Sequence, residues 1–362
     1  MINDKLKTKI SKLRISERKE LIDFIRNSYS VFNEYAKVEK CPHCGSNHIV
    51  KNGTRNDITR YLCRDCGKSF TYKSNTVLHG IQKLNKWNMF VEDFITLNIS
   101  TIKEITEKLD ISTQTAIDWR HKLLSALASK ESKFKNETIE FDEANFLISR
   151  KGRRNLGIVD KIKYKQWRKS QVGDSDYNVK VFFTYSRDNK NLDLFVSHMG
   201  RTSVKNLENY FLPSKFNSYT AITDKHRSYS SYFKKNDIEH KTFLSKDHVN
   251  PLENDVHNQT INAYTREFKN FVNKHMKGVS TKYISFYAKW FEFIMNTKKM
   301  IQNRISEAKP LRFDFADEIC YNVLDDLNGL ELYRQSEYSF TNFLKVNRRT
   351  NWGNCKYHYY AA

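Results

Sequence analysis

The sequence predicts a multidomain α+β chain, in which small N-terminal modules precede a larger α/β domain. Three observations predict it. Four of the six cysteines form two Cys-x-x-Cys pairs near the N-terminus, with eighteen residues between the pairs. Apolar residues then recur at helical spacing from about 85 to 127, broken by a short polar turn. Past residue 137 dense β-branched and aromatic runs begin to alternate with helical stretches.

Composition bounds the partners. The chain has 362 residues and a formal net charge of +21. Excess positive charge of that size favours polyanionic partners. Aromatic residues make up 14%, enough to build real cores. No apolar run reaches about 18 residues, so no membrane span is expected. Met1 to Lys40 is charged throughout, so no signal peptide is expected either. The other thiols, Cys320 and Cys355, are isolated, and the cysteine usage fits a reducing cytoplasm.

Residues 1–40 read as a helical segment, with Leu13, Leu21, Ile22, Phe24 and Ile25 spaced among charges. Residues 41–80 carry Cys41-Pro42-His43-Cys44-Gly45 and Cys63-Arg64-Asp65-Cys66-Gly67. A thiolate tetrad at this spacing predicts a structural zinc ribbon, with Cys41, Cys44, Cys63 and Cys66 as the Zn2+ ligands. The glycine after each pair suits the positive φ of a knuckle turn. Asn52-Gly53 between the knuckles is a hairpin signal. His43, His48 and His79 read as bystanders, because four cysteines complete the shell.

Residues 85–127 predict a helix-turn-helix. Asp110-Ile111-Ser112 makes the turn, and Ser112 caps the following helix. Ala116, Trp119 and Leu123 face inward. Thr113, Gln114, Ile117, Asp118 and His121 are left outward, which is where a recognition helix meets the major groove; Thr113, Gln114 and Ile117 are the DNA-contact candidates.

In the α/β region, residues 137–304, strands are expected at 139–142, 179–185, 192–196, 219–223 and 238–243. Helices are expected at 204–211, 229–234, 260–276 and 281–304. Three strands, then helix, strand, helix, strand, helix, is the order of an RNase H-like fold. Such a fold places Asp142 on the central strand and Asp224 at the end of the fourth. Two carboxylates on adjacent central strands are suitable ligands for Mg2+ or Mn2+ in two-metal phosphoryl chemistry. The loop after the first strand is the densest basic segment. Its Arg150, Lys151, Arg153, Arg154, Lys161, Lys163, Lys165, Arg168 and Lys169 are candidate phosphate contacts, and Trp167 sits among them.

The order of ribbon, helix-turn-helix, Phe141-Asp142-Glu143, Thr223-Asp224-Lys225-His226 with Tyr229, then Gly278-Val279-Ser280-Thr281-Lys282-Tyr283, resembles bacterial insertion-sequence transposases. These are the members of the RNase H-like DDE superfamily that carry an N-terminal zinc ribbon. The resemblance covers about residues 16–300. It implies magnesium-dependent DNA cleavage and strand joining at terminal inverted repeats, by a homo-oligomer on double-stranded repeat and target DNA, in a bacterial, nucleoid-associated cytoplasmic setting.

The sequence departs from the commonest pattern at the third ligand. Asn262 stands where relatives carry glutamate, and Lys269 follows. A sub-branch with Asp, Asp, Asn and Lys resembles this arrangement, which makes Asp142, Asp224 and Asn262 the metal ligands and Lys269 a catalytic partner. Lys269 lies two helical turns beyond Asn262, on nearly the same face. Glu253 and Glu267 are the alternative third carboxylates. A domesticated DNA-binding regulator without chemistry and a nuclease without strand transfer are the rival readings. The tail, residues 305–362, is a candidate oligomer or DNA contact.

Overall fold

The computed structural model describes residues 14, 16–17, 38–56, 58–74, 78–95, 100–127, 133–152, 178–244 and 250–307. The expected N-terminal helical segment, most of the basic loop and the tail lie outside the described residues. What is described is a mixed α/β chain with two sheets.

The first sheet is small and antiparallel, with β1 (Ile49–Arg55), β2 (Ile58–Cys63) and β3 (Ser69–Phe70) in that order. Tyr61 stacks on Phe70 at 5.7 Å, next to buried Cys41 and Cys63. The hairpin does not turn at Asn52-Gly53. Gly53 lies inside β1 at φ 77°, where the register shifts between Lys51 and Thr54, and Arg55 pairs with Ile58. A left-handed glycine within a strand makes a bulge, so the glycine signal is real but marks a bulge.

Three helices follow: α1 (Leu84–Ile95), α2 (Ile102–Leu109) and α3 (Thr113–Leu127). Thr101 and Glu104 form a capping box that starts α2. Asp110 ends it in the left-handed region, at φ 46°. The Thr115 N–H donates to Ser112 Oγ at 3.1 Å, which caps α3 as expected.

The second sheet has the order β6-β5-β4-β7-β8. Its strands are β4 (Phe134–Leu147), β5 (Asn178–Ser186), β6 (Leu192–Met199), β7 (Phe216–Asp224) and β8 (His240–Phe243). The first three pair antiparallel, while β7 is parallel to β4 and β8 to β7. Every residue of β5 is buried; its dense β-branched and aromatic run predicts this, apart from Lys180, which pairs with Glu143.

Helices cover both faces. On one, α4 (Val204–Tyr210) and α5 (Arg227–Lys235) close an aromatic core around Phe141, Tyr210, Phe211 and Phe216. On the other lie α6 (Gln259–Asn270), which continues into a π-turn at Phe271–His275, and α7 (Ile284–Glu307). The three N-terminal helices share this second core: Phe94 stacks on Trp290 at 4.9 Å, and the Arg120 guanidinium lies over the same indole. This packing corrects one expectation. His121 does not face outward; it is buried and stacks on Tyr283 at 4.0 Å. Helical spacing shows which face is apolar, but a neutral imidazole can join that face once a distant segment, here Tyr283, covers it.

Candidate metal and catalytic centres

The four cysteines converge. Cys41 and Cys66 lie 3.7 Å apart at sulfur, Cys44 and Cys63 3.5 Å, and all four sulfurs lie within 4.8 Å of one another. Tetrahedral Zn–S bonds of 2.3 Å require sulfurs about 3.8 Å apart, so the cluster is dimensioned to bind zinc. Each knuckle closes through a backbone bond, Gly45 N–H to Cys41 O and Gly67 N–H to Cys63 O, with both glycines at positive φ. The backbone N–H of Cys66 is the largest influence on the Cys63 thiol, which is drawn down to about 7. His48 pairs with Asp65 at 3.2 Å, and the His43 ring packs edge-on against Phe70, so both stand beside the cluster.

Asp142 and Asp224 lie on neighbouring parallel strands. Glu140 is level with Ile222, and the same register extended by two residues sets Asp142 level with Asp224. Side chains alternate along a strand, so Asp142 shares a face with Glu140 and Ala144, the face that α6 covers. β7 ends at Asp224 while β4 runs on to Leu147, which leaves the Asp142 flank open beyond that point. Burial pushes the Asp142 carboxyl up to about 7. The backbone N–H of Glu143 opposes the shift, the charges of Asp224 and Glu143 add to it, and Lys269 offsets part of it. Two carboxylates that raise one another's charging cost are the donor set a hard divalent cation relieves.

Helix α6 runs alongside this pair. Phe268 packs on Phe146 and Phe183, and Tyr264 leans on Tyr185 of β5. At 100° per residue, Asn262 and Lys269 occupy the opposite flank from Tyr264, on the β7 side of β4. Both are exposed. Asn262 Nδ2 donates to Asn258 Oδ1 at 2.6 Å, which turns its carbonyl oxygen the other way. The two alternative carboxylates are directed elsewhere. The charge of Glu267 bears on Tyr264, on the β5 flank, and Glu253 pairs with Lys241 at 3.1 Å.

Of the basic candidates, Lys151 has a defined structural task. Its ammonium donates to the carbonyls of Met276, Lys277 and Gly278 at 2.9, 2.9 and 2.6 Å, tying the end of β4 to the turn after α6. Arg150 is partly buried beside it. Arg153, Arg154, Lys161, Lys163, Lys165, Arg168 and Lys169, with Trp167, lie outside the described residues. On α3, Thr113 and Gln114 are exposed, and Gln114 donates to Asp118. Ile117 is half-buried.

Sequence reasoning passed over the residues that brace Asp142. Glu143 points to the other face of β4, where it takes hydrogen bonds from Lys180, Thr202 and the Tyr229 hydroxyl. It thereby couples Phe141-Asp142-Glu143 to the tyrosine five residues after Asp224. Glu140 is fully buried and reaches Arg187 and the start of α6. The available signal was position: a residue two before a strand ligand shares its face.

No protein-family model matches the chain. Over 114 residues it is 31% identical to a protein described as an uncharacterized protein in transposable element ISH50 of Halobacterium salinarum. That stretch covers 31% of this chain and 38% of the relative. The chain is thus related, over about a third of its length, to a protein of an insertion element.

Proposed function

We propose that the chain is a DNA transposase: an RNase H-like catalytic domain preceded by a zinc ribbon and a helix-turn-helix that recognise the element's terminal inverted repeats. The observation that carries this reading is the register of Asp142 with Asp224 on adjacent parallel strands, with the Asn262–Lys269 flank of α6 alongside. The strand order of the larger sheet, with its three antiparallel strands and two parallel additions, supports the fold assignment. Relation to an insertion-element protein supports the biological setting.

Asp142, Asp224 and Asn262 would hold magnesium or manganese. When bound, the ions supply Lewis acidity at the attacking and leaving oxygens of a phosphodiester. The chain supplies the rest. Asp142 and Asp224 would fix the donor oxygens on neighbouring inner strands of the sheet. Asn262 adds a neutral oxygen, so the centre carries less negative charge than three carboxylates and repels a DNA phosphate less. Lys269 offers a point charge to a phosphate oxygen. The net charge of +21 brings DNA to the molecule. Thr113 and Gln114 are placed to read base edges, and the basic loop after β4 grips phosphates.

The test is metal-dependent cleavage and joining of a labelled DNA end bearing the element's own terminal repeat. Wild type should cut and join. Asp142→Asn should bind the same DNA and lose about 10²–10³-fold in cleavage, of the order seen when a preorganised charge-stabilising group is removed. Binding by wild type with no cleavage under any divalent ion would make the chain a DNA-binding regulator. Cleavage without joining to a supplied 3′-hydroxyl would make it a nuclease.

A further inference from the structure

The strand that carries Asp142 and the helix that carries Asn262 are joined through buried Glu140 and its half-buried partner Arg187. Glu140 lies two residues before Asp142, on the same face of β4, and is fully buried. Its Oε2 accepts from the backbone N–H of Ile261 at 3.0 Å, the residue immediately before Asn262. That amide belongs to the first turn of α6, where no intrahelical acceptor exists and a negative charge is favoured. The other oxygen, Oε1, accepts from Arg187 Nε at 2.9 Å. Arg187 spends its remaining donors on the approach to the same helix: Nη1 on the Asp255 carbonyl at 2.5 Å, and Nη2 on the His257 carbonyl at 2.7 Å. Its own backbone N–H donates to the Thr138 carbonyl, which fixes it to β4.

The links join β4 to the segment 255–261, directly through Glu140 and Ile261 and indirectly through Arg187, which follows β5. A surface ion pair would not need three directed donors from one guanidinium. A stability contact would not need to grasp the amide next to the third metal ligand. We propose that Glu140 and Arg187 are positioning residues that set the spacing of Asn262 from Asp142 and Asp224, and thereby the affinity of the centre for divalent metal. The inference rests on the metal-centre reading above. Groups that orient a metal ligand without touching the metal typically contribute 10–100-fold in affinity.

The experiment uses the full-length, zinc-loaded protein. Mn2+ binding is measured by calorimetry for wild type, Asp142→Asn, Glu140→Gln, Arg187→Lys, Arg187→Met and the double variant Glu140→Gln/Arg187→Met, with thermal midpoints recorded alongside. Wild type should bind Mn2+ and Asp142→Asn should not. Glu140→Gln and the double variant, which leaves no unpaired buried charge, should bind about 10–100-fold more weakly. Arg187→Lys should fall between wild type and Arg187→Met, because an ammonium keeps the charge but lacks the planar fork that reaches Glu140 and both carbonyls at once. DNA cleavage by Glu140→Gln should recover as Mn2+ is raised, which a globally weakened fold would not show. Unchanged Mn2+ affinity in folded Glu140→Gln and in the folded double variant overturns the positioning role and leaves the metal centre standing. Mn2+ binding that survives in Asp142→Asn overturns the metal-centre reading itself, and the positioning role with it.

Discussion

Glu140, Asp142 and Glu143 are three carboxylates within four residues, and each is treated differently by its surroundings. Glu140 is buried against a guanidinium and a helix N-terminus; Glu143 is buried against Lys180, Thr202 and Tyr229. For Asp142, burial together with Asp224 raises the carboxyl to about 7, and Lys269 offsets only part of the shift. The sign of the consequence follows. A carboxyl whose folded pKa exceeds its unfolded value favours the fold at low pH, and that contribution is lost as pH rises through about 7. In metal-free protein, Asp142→Asn should therefore be more stable than wild type at pH 8, by about 1–3 kcal/mol after discounting for residual solvent contact. At pH 4 the two should be close. Urea unfolding at both pH values in EDTA-treated, zinc-reloaded protein measures it. Divalent binding should likewise strengthen as pH rises toward 7, because below it a proton must leave.

A second single residue carries backbone conformation. Asp110 ends α2 at φ 46° and ψ 60°, held there by Lys86, whose ammonium reaches both its carbonyl and its carboxylate. Asp tolerates the left-handed region; a β-branched residue does not. Asp110→Val should lower stability by about 1–2 kcal/mol, read as a shifted denaturation midpoint. Asp110→Gly should stay within about 1 kcal/mol of wild type, since glycine gains in backbone ease what it loses in the lysine contact.

At the scale of elements, β6 is the outer strand of the larger sheet, and an open edge invites pairing with another chain. Helix α7 covers it. Asn296 takes both the N–H and the carbonyl of Leu192, and Glu292 takes the N–H of Leu194. Below them Asp193 is fully buried, with Lys215 at 2.6 Å on one oxygen and Lys289 at 2.9 Å on the other. Tyr210 adds a hydrogen bond at 2.8 Å. Lys215 and Lys289 hold the Asp193 carboxyl far below its ordinary range, overcoming a burial cost that alone would raise it. Asp193→Ala would leave two ammonium groups enclosed with one carboxylate, Glu292, between them. It should cost roughly 3–5 kcal/mol, as expected for removing one partner of a buried ion network. Chemical denaturation measures it. If the loss stays below 1 kcal/mol, the lysines have found other partners.

At the scale of the whole molecule, the largest core and that of the ribbon differ in origin. The larger is hydrophobic and continuous from α1 to the sheet. Among the described residues, the ribbon's own cluster has Cys41, Cys63 and Phe70 buried, too little apolar area to hold its own fold. Its stability should therefore come from metal. One zinc per chain should be found by elemental analysis. Chelation should abolish protection of the 41–70 amides in hydrogen exchange and leave the β5 amides protected. Among the described residues no helix is long and apolar enough to cross a membrane.

How much of this was readable depends on the range of the interaction. The cysteine cluster was fully legible, because ligand chemistry and knuckle geometry are both written within four-residue motifs. The order of strands and helices from 137 to 304 was legible to within a few residues, because periodicity is local. Gly53 was read as a turn when it makes a bulge, since a left-handed glycine serves both and only the pairing of Arg55 with Ile58 decides. His121 was read as outward, since its burial depends on Tyr283, more than 160 residues away. Lys151 is a phosphate-contact candidate by sequence, and its bonds to three carbonyls beyond residue 275 are a product of packing that sequence does not show. Asp142 and Asp224 were nominated from strand order, while their common level needed the parallel register of β4 with β7. The Glu140–Arg187 pair was invisible, because neither residue belongs to a motif and their meeting is a product of packing. By itself, then, the sequence determined the four clustered thiols, the element order and the charge, all set by neighbouring residues or by composition. Only the tertiary structure decided which charges are buried together and which polar residues face the centre, because a buried charge is tolerable only where distant segments bring it a partner.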